Sequence, residues 1–174
     1  MNIDVQYRSR KVIKKAHEKI DSFIKNGSEV ARPLQRELRN IMWENCGVVR
    51  SGDKLEEGLQ KITKLKNALK NLDVRPDSEG FEDLMLAFDL EGSIMSAEAT
   101  ILGAIARKES RGAHQRSDFQ EIDKSFDANF KIKLKEDQAT LELIKDKLQP
   151  LPEELKTIIK NTRTITDFEG MLLE

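Results

Sequence analysis

Apolar residues recur through the first two thirds of the chain with the three-and-four spacing of helices that bury one face. Val12, Ile13, Ala16, Ile20, Phe23 and Ile24 form one such stripe, stopped at Asn26-Gly27. A second begins near Pro33, whose missing N–H suits a first helical turn, and runs through Leu34, Leu38, Ile41 and Met42 to a stop at Gly47. Asp53 is the expected N-cap of a third helix, which turns Leu55, Leu59, Ile62, Leu65, Leu69 and Leu72 inward. After a loop at 73–78, the longest helix is predicted over 79–110, with Phe81, Leu84, Met85, Phe88, Met95, Leu102 and Ile105 facing the core. Small residues in its middle, among them Gly92, Ser93, Ser96, Ala97 and Gly103, suit a central place in a bundle, where backbones approach closely. Its charges follow the macrodipole: Asp77, Glu79, Glu82 and Asp83 at the start, Arg107, Lys108 and Arg111 at the end, with Gly112 the expected C′ residue.

Beyond Gly112 the period changes to two. Phe130, Ile132 and Leu134 alternate with Lys131, Lys133 and Lys135, which predicts a strand. Glu136-Asp137-Gln138 is expected to turn it into a second strand over 140–144, giving a hairpin that needs the bundle behind it. Pro150 and Pro152 close that unit, and Pro152 can open a short helix through Lys160. The expected fold is mainly α, a bundle of three to four helices with a small C-terminal β-hairpin extension. Its expected parts are the bundle at 1–112, an extended segment, hairpin and short helix at 113–161, and a tail at 162–174 with too few apolar residues to demand order.

Composition narrows the functional classes. Charged residues are 35% and hydrophobic ones 38% of 174, the mixture of amphipathic helices with solvated outer faces. Thirty Lys/Arg against 31 Asp/Glu give a formal charge of −1, so no global basic field points to nucleic acid. A single cysteine, Cys46, cannot make an internal disulfide, and no apolar run approaches the roughly 18–20 residues of a membrane span. Residence in the cytoplasm, without direct membrane insertion, is the expectation. Charge is nonetheless segregated: residues 1–40 hold ten Lys/Arg and five Asp/Glu, whereas 76–99 hold seven acids and no base.

Enzymatic constellations do not emerge. The chain has no glycine-rich phosphate loop, no metal spacing of His or Cys, and no strand-turn-helix setting for a dinucleotide. His17 reads as a solvated surface residue, and Cys46, at a helix C-terminus, lies at the wrong end of the dipole to become a nucleophile. The densest cluster is Arg107-Lys108-Glu109-Ser110-Arg111-Gly112-Ala113-His114-Gln115-Arg116-Ser117-Asp118-Phe119. By composition it is either a contact for an anion or acidic partner, or a basic helix end that complements its own dipole.

This stretch closely resembles the signature of the C-terminal helical domain of succinate dehydrogenase and fumarate reductase flavoprotein subunits. Leu38-x-x-Ile41-Met42 leading into Cys46-Gly47-Val48-Val49-Arg50, Ala97-Glu98, and Asn129-Phe130 extend the resemblance over roughly 33–152. It implies a spectrin-like up-and-down bundle that docks on and stabilises the FAD-binding domain of an enzyme interconverting succinate and fumarate, with no catalysis by this fragment. It also implies that FAD, a capping domain and an iron–sulfur subunit belong to the parent, at the cytoplasmic face of the inner membrane, with no catalytic, cofactor or metal ligand here. In that picture Arg107, Arg111 and Arg116, helped by Ser110, His114 and Arg50, reach carboxylates or carbonyls of the flavin domain, and Gly112 permits close approach. Cut from its partner, this basic end is expected to be unusually exposed. Glu109 pairing internally with Arg107 or Arg111 is the opposing arrangement. The alternatives are the C-terminal domain of L-aspartate oxidase, which shares the architecture, and a free-standing helical interaction module.

Overall fold

The computed structural model describes residues 3–24, 27–75, 81–135 and 140–161. These form five helices, α1 (Ile3–Phe23), α2 (Ala31–Cys46), α3 (Gly52–Ala68), α4 (Glu82–Ala106) and α5 (Glu153–Asn161). Two small sheets accompany them, β1 (Val49–Arg50) paired in parallel with β2 (Gln115–Arg116), and β3 (Ala128–Leu134) paired antiparallel with β4 (Leu141–Lys147). The mainly helical fold with a C-terminal hairpin is as the periodicity predicts. The predicted turn at 136–138 and the tail at 162–174 lie outside the described residues, as does part of the loop at 73–78.

The core lies among α2, α3 and α4. Leu34, Leu38 and Ile41 of α2 and Leu55, Ile62 and Leu65 of α3 are buried on the stripes read from sequence. Side chains of this kind each contribute roughly 1.5–3 kcal/mol when fully withdrawn from water. Gly58, on α3, is buried where α2 crosses: a β-carbon there would lie 2.8 Å from Asn45 Cβ and 3.3 Å from Ile101 Cδ1. Asn45 itself is buried at that crossing and its amide donates to the Lys54 carbonyl at 3.0 Å. α3 passes into a 3-10 turn at Leu69–Asn71, after which Leu72 and Val74 are buried. Backbone bonds from Glu29 to Asn71 and from Asp73 to Glu29 tie this segment to the α1–α2 connection.

Four expectations are corrected. The inward face of α4 is Ala87, Leu90, Ile94, Ala97, Ile101 and Ala104, spaced alternately three and four, while Phe81, Met85 and Phe88 are exposed. This helix is apolar on nearly every side, so periodicity alone could not choose the face. α4 ends at Ala106, short of 110, and Gly112 is no helix cap. The stripe of α1 is buried only at its end: Phe23 is covered, whereas Val12 and Ile13 are exposed. Finally, Ser51 occupies the cap position of α3 and Asp53 lies in its first turn, still at the favourable end of the dipole.

β3 and β4 pair in register from Ala128↔Lys147 to Leu134↔Leu141, and the second strand runs three residues past 144. Ile132 leans on α4, its Cδ1 3.9 Å from where a β-carbon of Gly103 would lie. That contact is the support a two-stranded hairpin needs.

Candidate functional site

The stretch 107–119 folds back on itself. Because α4 stops at Ala106, residues 107–111 leave the helix and the chain bends at Glu109, whose side chain turns in between Arg107 and Arg111. The side chain of Glu109 is wholly buried between Arg107 and Arg111. Arg111 Nε and Nη2 donate to its two oxygens at 3.0 and 3.2 Å, and the Asp123 backbone N–H donates at 2.9 Å. Arg107 donates to the same carboxylate and to the carbonyls of Phe126 at 3.1 Å and Ala128 at 2.7 Å, with its guanidinium over the Phe130 ring. Burial would raise the Glu109 carboxyl, but bonds from Arg111, the Asp123 N–H and Arg107 outweigh it and hold it at about 2.

Arg116 is the second anchor, only 3% exposed. Its fork grips Asp118 through two bonds of 2.7 Å, and Nη1 donates to the Ala104 carbonyl at 2.8 Å. The last carbonyls of a helix have no partner within it, and here Arg116 supplies one. Asp118 also accepts the Gly52 N–H at the start of α3, and the Arg116 fork holds its carboxyl far below the usual range. The Ser110 hydroxyl lies 2.9 Å from the Phe119 carbonyl and 3.2 Å from that of Arg116, and accepts the Arg116 N–H at 2.8 Å.

His114 joins the two anchors. Its Nε2 lies 3.0 Å from the Arg107 carbonyl, another orphan of the α4 end, and Nδ1 lies 2.9 Å from Arg50 Nη1. Arg cannot accept and a carbonyl cannot donate, so the ring is neutral with its proton on Nε2. Burial pushes its pKa down, aided by the charges of Arg50, Arg116 and Arg107 against the pull of the Arg107 carbonyl. Arg111 and His114 close a tight turn through backbone bonds of 2.8 and 3.0 Å, and Gly112 has φ 57° at the turn's first central position. Primed hairpin turns reserve that position for glycine.

The seven residues expected at the site, Arg50, Arg107, Ser110, Arg111, Gly112, His114 and Arg116, therefore come together, but the expected exposure is corrected. Arg107, Ser110 and Arg116 spend their donors inside the chain. Arg111 is partly exposed and also pairs with Asp127 at 2.7 Å. Lys108, Gly112, Ala113 and Gln115 form the outer rim. Sequence reading underrated Glu109 and gave Asp118 no part. The i, i+2 spacings Arg107-Glu109-Arg111 and Arg116-Asp118 were the available signal, hidden by extending the helix to 110. No buried side-chain nitrogen or oxygen among the described residues lacks a partner. Cys46 is buried, and burial raises its thiol pKa, which suits an inert side chain. No helix among the described residues is long and apolar enough to cross a membrane.

Comparison with known proteins gives this arrangement a family. The family described as fumarate reductase flavoprotein C-term matches residues 35–163. A component of the fumarate reductase (CoM/CoB) of Methanothermobacter marburgensis is 34% identical over 113 residues, 64% of this chain and 20% of the relative. The succinate dehydrogenase flavoprotein subunit of Coxiella burnetii is 35% identical over 106 residues, 60% and 18% of the two chains. Among solved structures, a mutant quinol fumarate reductase of E. coli superposes with a TM-score of 0.74 at 25% identity, covering 82% of this chain and 26% of that one. The chain spans about a fifth of the length of these curated relatives.

Proposed function

We infer the function from one premise: the chain belongs to the fumarate reductase flavoprotein C-terminal family, the C-terminal domain of succinate dehydrogenase and fumarate reductase flavoprotein subunits. We propose that it docks on and stabilises the FAD-binding portion of such a protein, whose oxidoreductase chemistry interconverts succinate and fumarate. The observation that carries this reading is the family match over residues 35–163, which falls on one part, about a fifth, of flavoprotein subunits such as that of Coxiella burnetii, while the network around Glu109 and Arg116 closes the signature onto the end of α4.

The docking role of the signature is divided. Arg107, Ser110 and Arg116 build the loop from inside, and Arg50, Arg111, Gly112 and His114 lie nearer its rim, where a partner's carbonyls and carboxylates come within reach. FAD we assign to the rest of the parent protein. The described residues do not fit it, because their one parallel strand pair is two residues long and no glycine-rich turn follows it into a helix to cradle a pyrophosphate. The capping domain and an iron–sulfur subunit complete the proposed assembly, at the cytoplasmic face of the inner membrane.

The test mixes the purified 174-residue chain with the flavin-bearing portion expressed as a separate polypeptide. The expected outcome is co-purification of a yellow complex, read by flavin absorbance, with faster succinate-dependent dye reduction than the flavin portion alone. A folded flavin portion that ignores the chain overturns the proposal and favours a free-standing module.

A further inference from the structure

Side chains tie the signature loop to the α2–α3 connection on both sides of the β1–β2 seam. On one side the Gly52 N–H donates to Asp118 Oδ2 at 2.8 Å, and the Arg116 fork grips the same carboxylate. On the other, Arg50 Nη1 lies 2.9 Å from His114 Nδ1. Between the two ties Val49 stands opposite Gln115 and Arg50 opposite Arg116, and the Ser117 N–H donates to the Arg50 carbonyl at 2.8 Å.

Acid acts on these ties unequally. The Arg116 fork lowers the Asp118 carboxyl far enough to keep it charged well below neutrality, so the Gly52 tie survives mild acid. The His114 tie is built on a neutral ring. Its one proton sits on Nε2, facing the Arg107 carbonyl at 3.0 Å, and Nδ1 accepts from Arg50. A second proton has only Nδ1 to occupy, and there the new N–H would point at a guanidinium that carries donors alone.

The surroundings offer that proton no counter-ion. Burial opposes it, as do the cations Arg50 from β1, Arg116 from β2 and Arg107 from the end of α4, against the pull of the Arg107 carbonyl. The carboxylates of the loop are committed elsewhere, Glu109 to Arg107 and Arg111, and Asp118 to Arg116. Yet the ring is only half-buried, within reach of solvent. We propose that His114 is a proton-operated catch: protonation at Nδ1 expels Arg50, and the β1–β2 seam opens from the His114 end while Asp118 holds the far end to Gly52 as a hinge. The bundle stays packed, since Leu55, Ile62 and Ile101 at its centre are apolar. Once open, the rim presents Arg50 beside an imidazolium, so acid converts a closed contact with one charge into an open one with two. The device is internal to this chain and does not rest on the docking function proposed above.

The test follows the 174-residue chain by NMR from about pH 8 to about pH 5, the interval in which histidine changes its charge. Nuclear Overhauser contacts between Val49 and Gln115 should be lost with the midpoint of the His114 ring, while the amide shifts of Leu55 and Ile62 stay fixed. In His114→Gln the contacts should persist throughout. In Arg50→Gln the His114 midpoint should rise by about one pH unit, because a glutamine carbonyl accepts the Nδ1 proton that a guanidinium repels. Contacts that survive protonation of His114, a ring that does not titrate in this interval, or an unmoved midpoint in Arg50→Gln each overturn the catch. So does loss of the contacts in His114→Gln, or joint movement of the seam with Leu55 and Ile62, which would mean that acid unfolds the bundle as a whole.

Discussion

Replacing Glu109 by Ala would leave the partly exposed guanidinium groups of Arg107 and Arg111 without the buried counter-ion they share. Hydrogen bonds to charged groups are worth about 1.5–3 kcal/mol, and we expect Glu109→Ala to lower the urea stability of the chain by that order. Acid acts on the same carboxylate. Its folded pKa of about 2 lies below the ordinary 4.5, so its stabilisation is complete above 4.5 and is lost as pH falls from there towards 2. His114 gives a second step at milder pH. Its folded pKa is depressed below 6.5, so the neutral ring stabilises the fold above 6.5, and that contribution fades as pH falls through 6.5 towards the lower value. The urea midpoint of the wild-type chain should therefore drop between about pH 7.5 and 5.5, and His114→Gln should remove most of that drop. The residue types at this site were legible in the sequence and their partners were not, because the pairs form only where α4 stops short and the chain bends at Glu109.

Helices were legible where one face is plainly polar. α2 and α3 carry charged outer faces, and their buried stripes are those the spacing predicts. α4 has apolar or small residues all round, so the choice between Phe88 and Leu90 as inward was set by neighbours distant in sequence. The α2–α3 crossing shows the same dependence on packing. Alanine usually stabilises a helix interior relative to glycine by about 1 kcal/mol, but at Gly58 the added methyl would meet Asn45 Cβ at 2.8 Å. We expect Gly58→Ala to destabilise by about 1–3 kcal/mol through overpacking, measured by urea denaturation. Gly92→Ala, facing open space, should have the opposite sign and serves as the comparison.

At the scale of the molecule, the segregated charge of the sequence is partly spent within the fold, through Lys19–Glu91 and Arg32–Glu82, which join the basic N-terminal stretch to the acidic start of α4. The parallel pairing of β1 with β2 was not legible at all, since two-residue strands carry no periodicity. That pairing has a consequence for how the chain folds. Ser117 donates to the Arg50 carbonyl across 67 residues, and a seam of two residues repays little of the entropy of closing so long a loop. We therefore expect the seam to close after α2, α3 and α4 have packed, with the Ser117 N–H protected later in pulsed hydrogen exchange than the amides of those helices.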